Sequence, residues 1–304
     1  MSGLRPFALH RPRSVEEASR LLAEHGGDAM VYAGGTELLV LLKAGLARPG
    51  CLVDVKAVPG LASIDAGAGA LRIGATARHR DVERSPAVRA ACPLVADVAR
   101  HVANVRVRSV GTVGGNLAFA DPHSDLATVF LTLDGTVRLE AAGAARDVPL
   151  TDFVRGPYET SRRDDELLTE VRLALWPAGT AAAYLKFGVH ERPTLGVAVA
   201  LSPNGAPDRV GAARIAVGCV GPRPTRLPAV EAAARGLDAA ELARRAGELG
   251  ALAAEAVDPV ADLHGAADYK RDMTRVFVQR ALALAAARLA GRSPIVLHPH
   301  TVAV

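Results

Sequence analysis

The chain has 304 residues, half of them hydrophobic and 4% aromatic, with a formal charge of +4. That length buries a sizeable core and predicts two or three subdomains, while no apolar run approaches the roughly 20 residues that span a membrane. The arginines are scattered, without the basic stripe and interleaved aromatics of a nucleic-acid binder.

Cys51, Cys92 and Cys219 are too far apart for a cluster motif, so no iron–sulfur cluster is expected on this chain and a cytoplasmic location is. Met1 to Pro12 lacks the apolar core of a signal peptide. Ser14 to Glu17 reads as a capping box, with Ser14 accepting from an early helix N–H and Glu17 reaching back. Val15, Ala18, Leu21 and Leu22 then share one helical face, and Gly26-Gly27 stops the helix. A short strand over Val31–Ala33 runs into Gly34-Gly35-Thr36-Glu37, and the apolar run from Leu38 to Lys43 begins as helix. A strand that turns on glycines into a helix N-terminus makes an anion site from unpaired N–H groups. A strand at Leu52–Val55, ending near Pro59-Gly60, completes a small α/β unit.

Leu71–Ala75 reads as a strand, and Thr76-Ala77-Arg78 leads into a helical region holding Val82 and Val88. Pro93 to Val105 reads as one helix, with Leu94, Val95, Val98 and Val102 at near-helical spacing. It delivers the chain to a second glycine stretch, Ser109-Val110-Gly111-Thr112-Val113-Gly114-Gly115-Asn116. Glycines there let a ligand approach the main chain and permit positive φ, so that N–H groups converge on an anion. Ser109, Thr112 and Asn116 add polar side chains; Asp125 either accepts from sugar hydroxyls or caps the Leu126–Leu131 helix. The competing reading is a tight turn between core elements. Neither stretch is a Walker A loop or a G-x-G-x-x-G fingerprint, and two such cradles suit a long ligand with two polar regions.

Val137–Glu140 follows an Asp134-Gly135 turn, Leu167–Leu175 is β-rich, and Trp176-Pro177-Ala178-Gly179 marks a domain boundary. Beyond it Tyr184–Val189, Gly196–Ser202 and Arg214–Val220 read as antiparallel strands, the last two joined across Pro203-Asn204-Gly205. Asp238 with Glu241 opens a helix to about Val257, a second spans Asp268 to Leu289 and stops at Gly291, and Arg292 to Val304 reads as a loose tail. His79, His101, His123, His190, His298 and His300 lack a metal-site context and read as surface or capping residues, so no metal is expected. His123-Ser124-Asp125 has no G-x-S-x-G elbow, and no residue reads as catalytic.

The run A-G-G-T-E-L-L-V-L-L-K from Ala33, followed from Gly111 by G-T-V-G-G-N-x-A-x-A-D-P-x-S-D-L, resembles the FAD-binding subunit of the molybdenum hydroxylases. That family includes xanthine dehydrogenase, the aerobic carbon monoxide dehydrogenase medium subunit and 4-hydroxybenzoyl-CoA reductase. The likeness covers nearly the whole chain and takes in Glu166-Leu167-Leu168, Tyr184-x-Lys186 and Tyr269-Lys270-Arg271-x-Met273. It implies an α+β fold: a two-subdomain FAD-binding domain over 1–176 (about 1–57 and 58–176), then an antiparallel sheet with helices over 177–304. It implies FAD contacts at Val31, Tyr32, Ala33, Gly34, Gly35, Thr36, Glu37, Leu38, Val102, Ser109, Gly111, Thr112, Val113, Gly114, Gly115, Asn116, Asp125, Leu168 and Lys186. Val102 and Leu168 read as core by pattern, and only the resemblance puts them beside the cofactor. Lys186 would lie near the flavin, where a cation stabilises a reduced, anionic ring.

Relatives carry a basic pair and a later acidic or aromatic residue near the ring, whereas this chain reads His190-Glu191-Arg192-Pro193-Thr194. The resemblance also implies a large molybdenum-cofactor subunit and a small subunit with two [2Fe–2S] clusters, assembled as a dimer of heterotrimers. Electrons would leave this FAD for an external acceptor. Two other readings stand beside it. A self-sufficient flavin oxidase of the vanillyl-alcohol-oxidase type would need an added substrate domain, for which the chain after Trp176 is short. A non-enzymatic assembly module would not need the intact cradles.

Overall fold

The computed structural model describes residues 4–188, 192–294 and 299–304. The chain opens with β1 (Ala8–His10), α1 (Val15–His25), β2 (Ala29–Tyr32), α2 (Leu38–Ala44) and β3 (Cys51–Asp54). The strands form a parallel sheet in the order β1-β3-β2. Ser14 Oγ accepts the Glu17 N–H at 3.0 Å, and the Glu17 carboxylate reaches back to the Arg13 N–H, one residue beyond the reciprocal partner expected. Ala18 and Leu22 bury against Cys51, Val53, Val55 and Leu167 in a small core.

A second, antiparallel sheet is built from β4 (Ile64–Gly67), β5 (Ala70–Gly74), β6 (Thr136–Ala141), β7 (Ala144–Pro149) and, later in the chain, a strand over Leu167–Ala174. Between β5 and β6 run six helices: α3 (His79–Arg84), α4 (Pro86–Ala91), α5 (Pro93–Arg100), α6 (Val105–Arg108), α7 (Val113–Phe119) and α8 (Asp125–Thr132). The helix expected over Pro93 to Val105 is two. The chain bends at Ala103 (φ 41°) and restarts where Asn104 Oδ1 accepts the Arg106 and Val107 N–H groups. An asparagine that caps competes with helix continuation through it. After β7 come α9 (Leu150–Phe153) and the short pair β8 (Val154–Gly156) and β9 (Glu159–Thr160), and then β10, the Leu167–Ala174 strand.

The remaining sheet is antiparallel: β11 (Ala181–Phe187), β12 (Leu195–Asn204), β13 (Ala206–Gly218), β14 (Thr225–Arg226) and β15 (Thr301–Ala303), in the order β14-β13-β12-β11-β15. It is covered on both faces. Tyr184, Ala198 and Ala216 join the core of the second sheet, while Ala183, Leu185, Val197 and Val199 pack on Phe277 and Val278. That explains why β12 reads as a continuous apolar run rather than an alternating one. The helices on its outer face are α10 (Pro228–Ala234), α11 (Ala239–Ala256), capped by Asp238, and α12 (Ala267–Leu289).

The expected loose tail is overturned at its end. Thr301–Ala303 adds an edge strand to β11, and Val304 exchanges two backbone hydrogen bonds with Tyr184. Val189, His190 and Glu191, which include the expected end of a strand and one of the histidines, lie outside the described residues, as does His298. Among the described residues no helix is long and apolar enough to cross a membrane.

Candidate functional site

A cavity of about 720 Å³ opens between the first sheet, the α3–α8 helices and the start of β10, towards the large end of the ~300–1,000 Å³ common for small-molecule sites. Its most distinctive wall is the β2–α2 loop. Gly34, Gly35, Thr36, Glu37 and Leu38 all line it, and none of their five N–H groups has an acceptor among the described residues. Gly35 has φ 72°, which a side chain disfavours. A Cβ on Gly34 would stand 2.2 Å from the Val110 carbonyl oxygen. That contact presses the first glycine loop against the second. Tyr32 stays outside the cavity lining: a Cβ on Gly35 would meet its ring, and Lys56 stacks on it at 3.7 Å.

The second stretch is built differently. Its expected positive φ angles do not occur: Gly111, Gly114 and Gly115 all keep to the ordinary region, because the segment folds into α7 behind the N-cap Thr112. Apart from that of Thr112, which lines the cavity, its N–H groups are also spent within the chain. Val113 donates to the Ala77 carbonyl and Gly114 to that of Ala75, both at 2.9 Å, while Gly115 donates to Thr112 Oγ1 and Asn116 to the Thr112 carbonyl. The two adjacent glycines divide the work. A Cβ on Gly114 would lie 2.5 Å from that of Ala75, so this glycine lets the helix seat on β5; a Cβ on Gly115 would meet only Thr112 Oγ1 and otherwise stand in the cavity. Asn116 lines the cavity with its Oδ1 held by the Ser124 hydroxyl at 2.7 Å. Ser109, which donates to the Val105 carbonyl, Gly111 and fully buried Val113 lie outside the lining.

Asp125 is not the helix cap; Ser124 is, accepting the Ala127 N–H. Asp125 reaches the cavity wall, but its two oxygens accept from the Tyr184 hydroxyl and Lys186 Nζ, each at 2.7 Å. Lys186 also donates to the His101 carbonyl and is buried behind this wall rather than in it. Burial, reinforced by the Asp125 carboxylate, pushes the Tyr184 phenol well up, so it stays a donor. Leu168 and Val102 line the cavity while packing on the core. Arg108 holds the Val102 and Ala103 carbonyls, shaping that turn.

Four residues that sequence reasoning passed over belong to this wall. His79 is neither surface nor cap: it is 3% exposed, lines the cavity, and among the described residues its Nδ1 lacks a partner, as does Thr76 Oγ1. Burial, then the nearby Arg108 charge, pushes His79 down to about 4, so it is neutral. Arg162, fixed by the carbonyls of Arg163, Asp164 and Glu166, places a cation in the wall beside Tyr158. No local pattern announces these residues; only the fold brings them in. At the rim, Arg192 pairs with Asp121 and with Glu37 at 3.2 Å. Against the upward push of burial, hydrogen bonds from His123 and the Arg192 charge hold Asp121 below the usual carboxylate range. His123 is likewise not isolated, because its second nitrogen meets Asp262 at 3.2 Å.

Donors without acceptors in one loop, a fixed cation and apolar walls suit a long ligand with an anionic middle. Residues 5–176 match the family model described as the FAD binding domain in molybdopterin dehydrogenase, and 188–285 match the CO dehydrogenase flavoprotein C-terminal domain. The chain is 35% identical to the carbon monoxide dehydrogenase medium chain of Hydrogenophaga pseudoflava, covering 93% of this chain and 98% of that one. It is 32% identical to the nicotine 6-hydroxylase medium subunit of Paenarthrobacter nicotinovorans, over 91% and 96%. The solved carbon monoxide dehydrogenase from Hydrogenophaga pseudoflava, a form lacking the Mo-pyranopterin moiety of its cofactor, superposes with a TM-score of 0.89 over 94% of this chain and 99% of that one.

Proposed function

The chain belongs to the FAD-binding medium subunits of the molybdenum hydroxylases, and from that premise we propose that it relays electrons from a partner's [2Fe–2S] clusters to an external acceptor. The single observation that carries the reading is the row of five acceptor-less N–H groups from Gly34 to Leu38 in the cavity wall. The cavity fits FAD in kind. The β2–α2 loop would hold the pyrophosphate, with Arg162 adding charge. Asn116, Thr76 Oγ1 and the orphaned His79 Nδ1 offer polar groups for sugar or ring edges. Val102, Leu126 and Leu168 supply apolar surface.

When bound, the flavin would supply a two-electron store that one-electron donors can fill stepwise. The chain's own residues bind and orient it. Within this reading Lys186 acts from behind Asp125 and Tyr184, so its charge is shared with a carboxylate before it reaches the cavity. The partners would be a large subunit with the molybdenum cofactor and a small [2Fe–2S] subunit, in a cytoplasmic dimer of heterotrimers. Residues 1–176 and 177–304 would be the two domains. The complex purified from its source should hold about one non-covalent FAD for each copy of this chain. The isolated FAD-loaded chain should not turn over the complex's organic substrate; turnover without either partner sinks the relay reading.

A further inference from the structure

Away from the cavity, the first sheet gathers three metal-ligating side chains from three elements. His10 stands on β1, His25 is the last residue of α1, and Cys51 opens β3. Ala8 pairs with Cys51 across the parallel ladder, so His10, two residues on, shares the face that carries the cysteine. That face is the one α1 covers, which brings the helix's terminal histidine to the same place. One ligand atom from each residue lies within 4.8 Å of the other two. We infer that His10, His25 and Cys51 form a binding site for one divalent cation of the zinc class.

The geometry is close to what such an ion needs. Zinc–nitrogen and zinc–sulfur bonds of about 2.0–2.3 Å at tetrahedral angles set ligand atoms roughly 3.3–3.6 Å apart. The spacing, within 4.8 Å, exceeds this by up to about 1.5 Å, which side-chain rotations must close. Two imidazoles and a thiolate are a borderline-to-soft set, suited to zinc and unsuited to magnesium or calcium. A second observation points the same way: His10 Nε2 is shielded from solvent and has no hydrogen-bond partner among the described residues. A buried polar nitrogen left so is costly. The surroundings favour positive charge. The α1 C-terminus turns its negative end towards the site at His25. Binding would replace the thiol proton, released to solvent, with the metal–sulfur bond, and would pin β1 to α1 and β3. Water completes the fourth position.

The site is separate from the flavin cavity, so the two claims fail independently. The FAD-loaded chain, freed of metal by a chelator, is titrated with cobalt(II) and then zinc(II). One cobalt per chain should bind with a thiolate-to-cobalt charge-transfer absorption, and zinc should displace it and raise the Tm. Cys51→Ala should abolish the absorption while FAD content, which reports folding, is retained. His25→Asn, at a half-exposed helix end, should weaken cobalt binding at least about tenfold and stands as the arm least exposed to misfolding. Folded wild-type chain that takes up no stoichiometric cobalt, or an absorption that survives Cys51→Ala and so belongs to Cys92 or Cys219, overturns the inference.

Discussion

The two glycine loops resemble each other in composition and differ in what their backbone does. In the β2–α2 loop, whose residues line the cavity, the N–H groups from Gly34 to Leu38 are left without acceptors among the described residues. In the Gly111–Asn116 stretch the N–H groups of the α7 first turn are consumed by Ala75, Ala77 and Thr112. The first loop can therefore bind an anion through its main chain, whereas the second shapes the wall and presents Asn116. Glycine removes a side chain, but the partners of its N–H decide whether the space serves a ligand or a neighbouring strand.

The largest effect expected is on ligand affinity at the first loop. Gly35→Ala forces a Cβ into φ 72° and against the Tyr32 ring at 2.6 Å, so the loop reorients and its donors diverge. Losing two charge-assisted hydrogen bonds of about 1.5–3 kcal/mol each weakens FAD binding on the order of 10²- to 10⁴-fold. Flavin fluorescence on protein shown to be folded reads this directly. Near-normal affinity would erase the distinction between the loops.

Gly114→Val should instead strike the fold. Its side chain would have to occupy the space of the Ala75 Cβ and carbonyl, and overpacking of this kind costs about 1–3 kcal/mol or more. Denaturant unfolding of the FAD-free chain should show that loss in full. If only FAD binding falls and stability is unchanged, the second stretch is a ligand loop after all.

Acid should loosen the second loop through His79, whose main-chain N–H donates to the Gly111 carbonyl and whose buried ring lies against that glycine. The folded value near 4 lies below the ordinary 6.5. Neutral His79 therefore contributes its stability fully above pH ~6.5, and the contribution is lost as pH falls towards ~4, on the order of 3 kcal/mol in all. Stability measured against pH should show this slope in wild type, and His79→Gln should flatten it. An unchanged slope would assign acid sensitivity elsewhere.

The smallest effect separates neighbouring glycines. Gly115→Val places its side chain in the cavity beside Thr112 Oγ1 without meeting a strand. FAD affinity should drop about tenfold, near 1.4 kcal/mol, with little change in folding. A Gly115 variant as unstable as Gly114→Val would show that both glycines serve packing.

Much of this molecule is legible in local chemistry. The Ser14 cap, the Asp238 cap and the strand–glycine–helix order around Gly34 each depend on residues a few positions apart, so the sequence alone placed them and supported the family resemblance. The break at Asn104 was missed because helical spacing of the valines masked a capping side chain. What only the tertiary structure decided is which groups remain unpaired. The carbonyls of Ala75 and Ala77 take the α7 N–H groups from about forty residues away, and β11 carries Lys186 and Tyr184 to Asp125 from about sixty. The unpartnered nitrogens of His79 and His10 likewise follow from where distant segments pack. Local sequence sets the dihedral angles of a loop; hydrogen-bond supply across the whole fold sets whether that loop has donors left for a ligand.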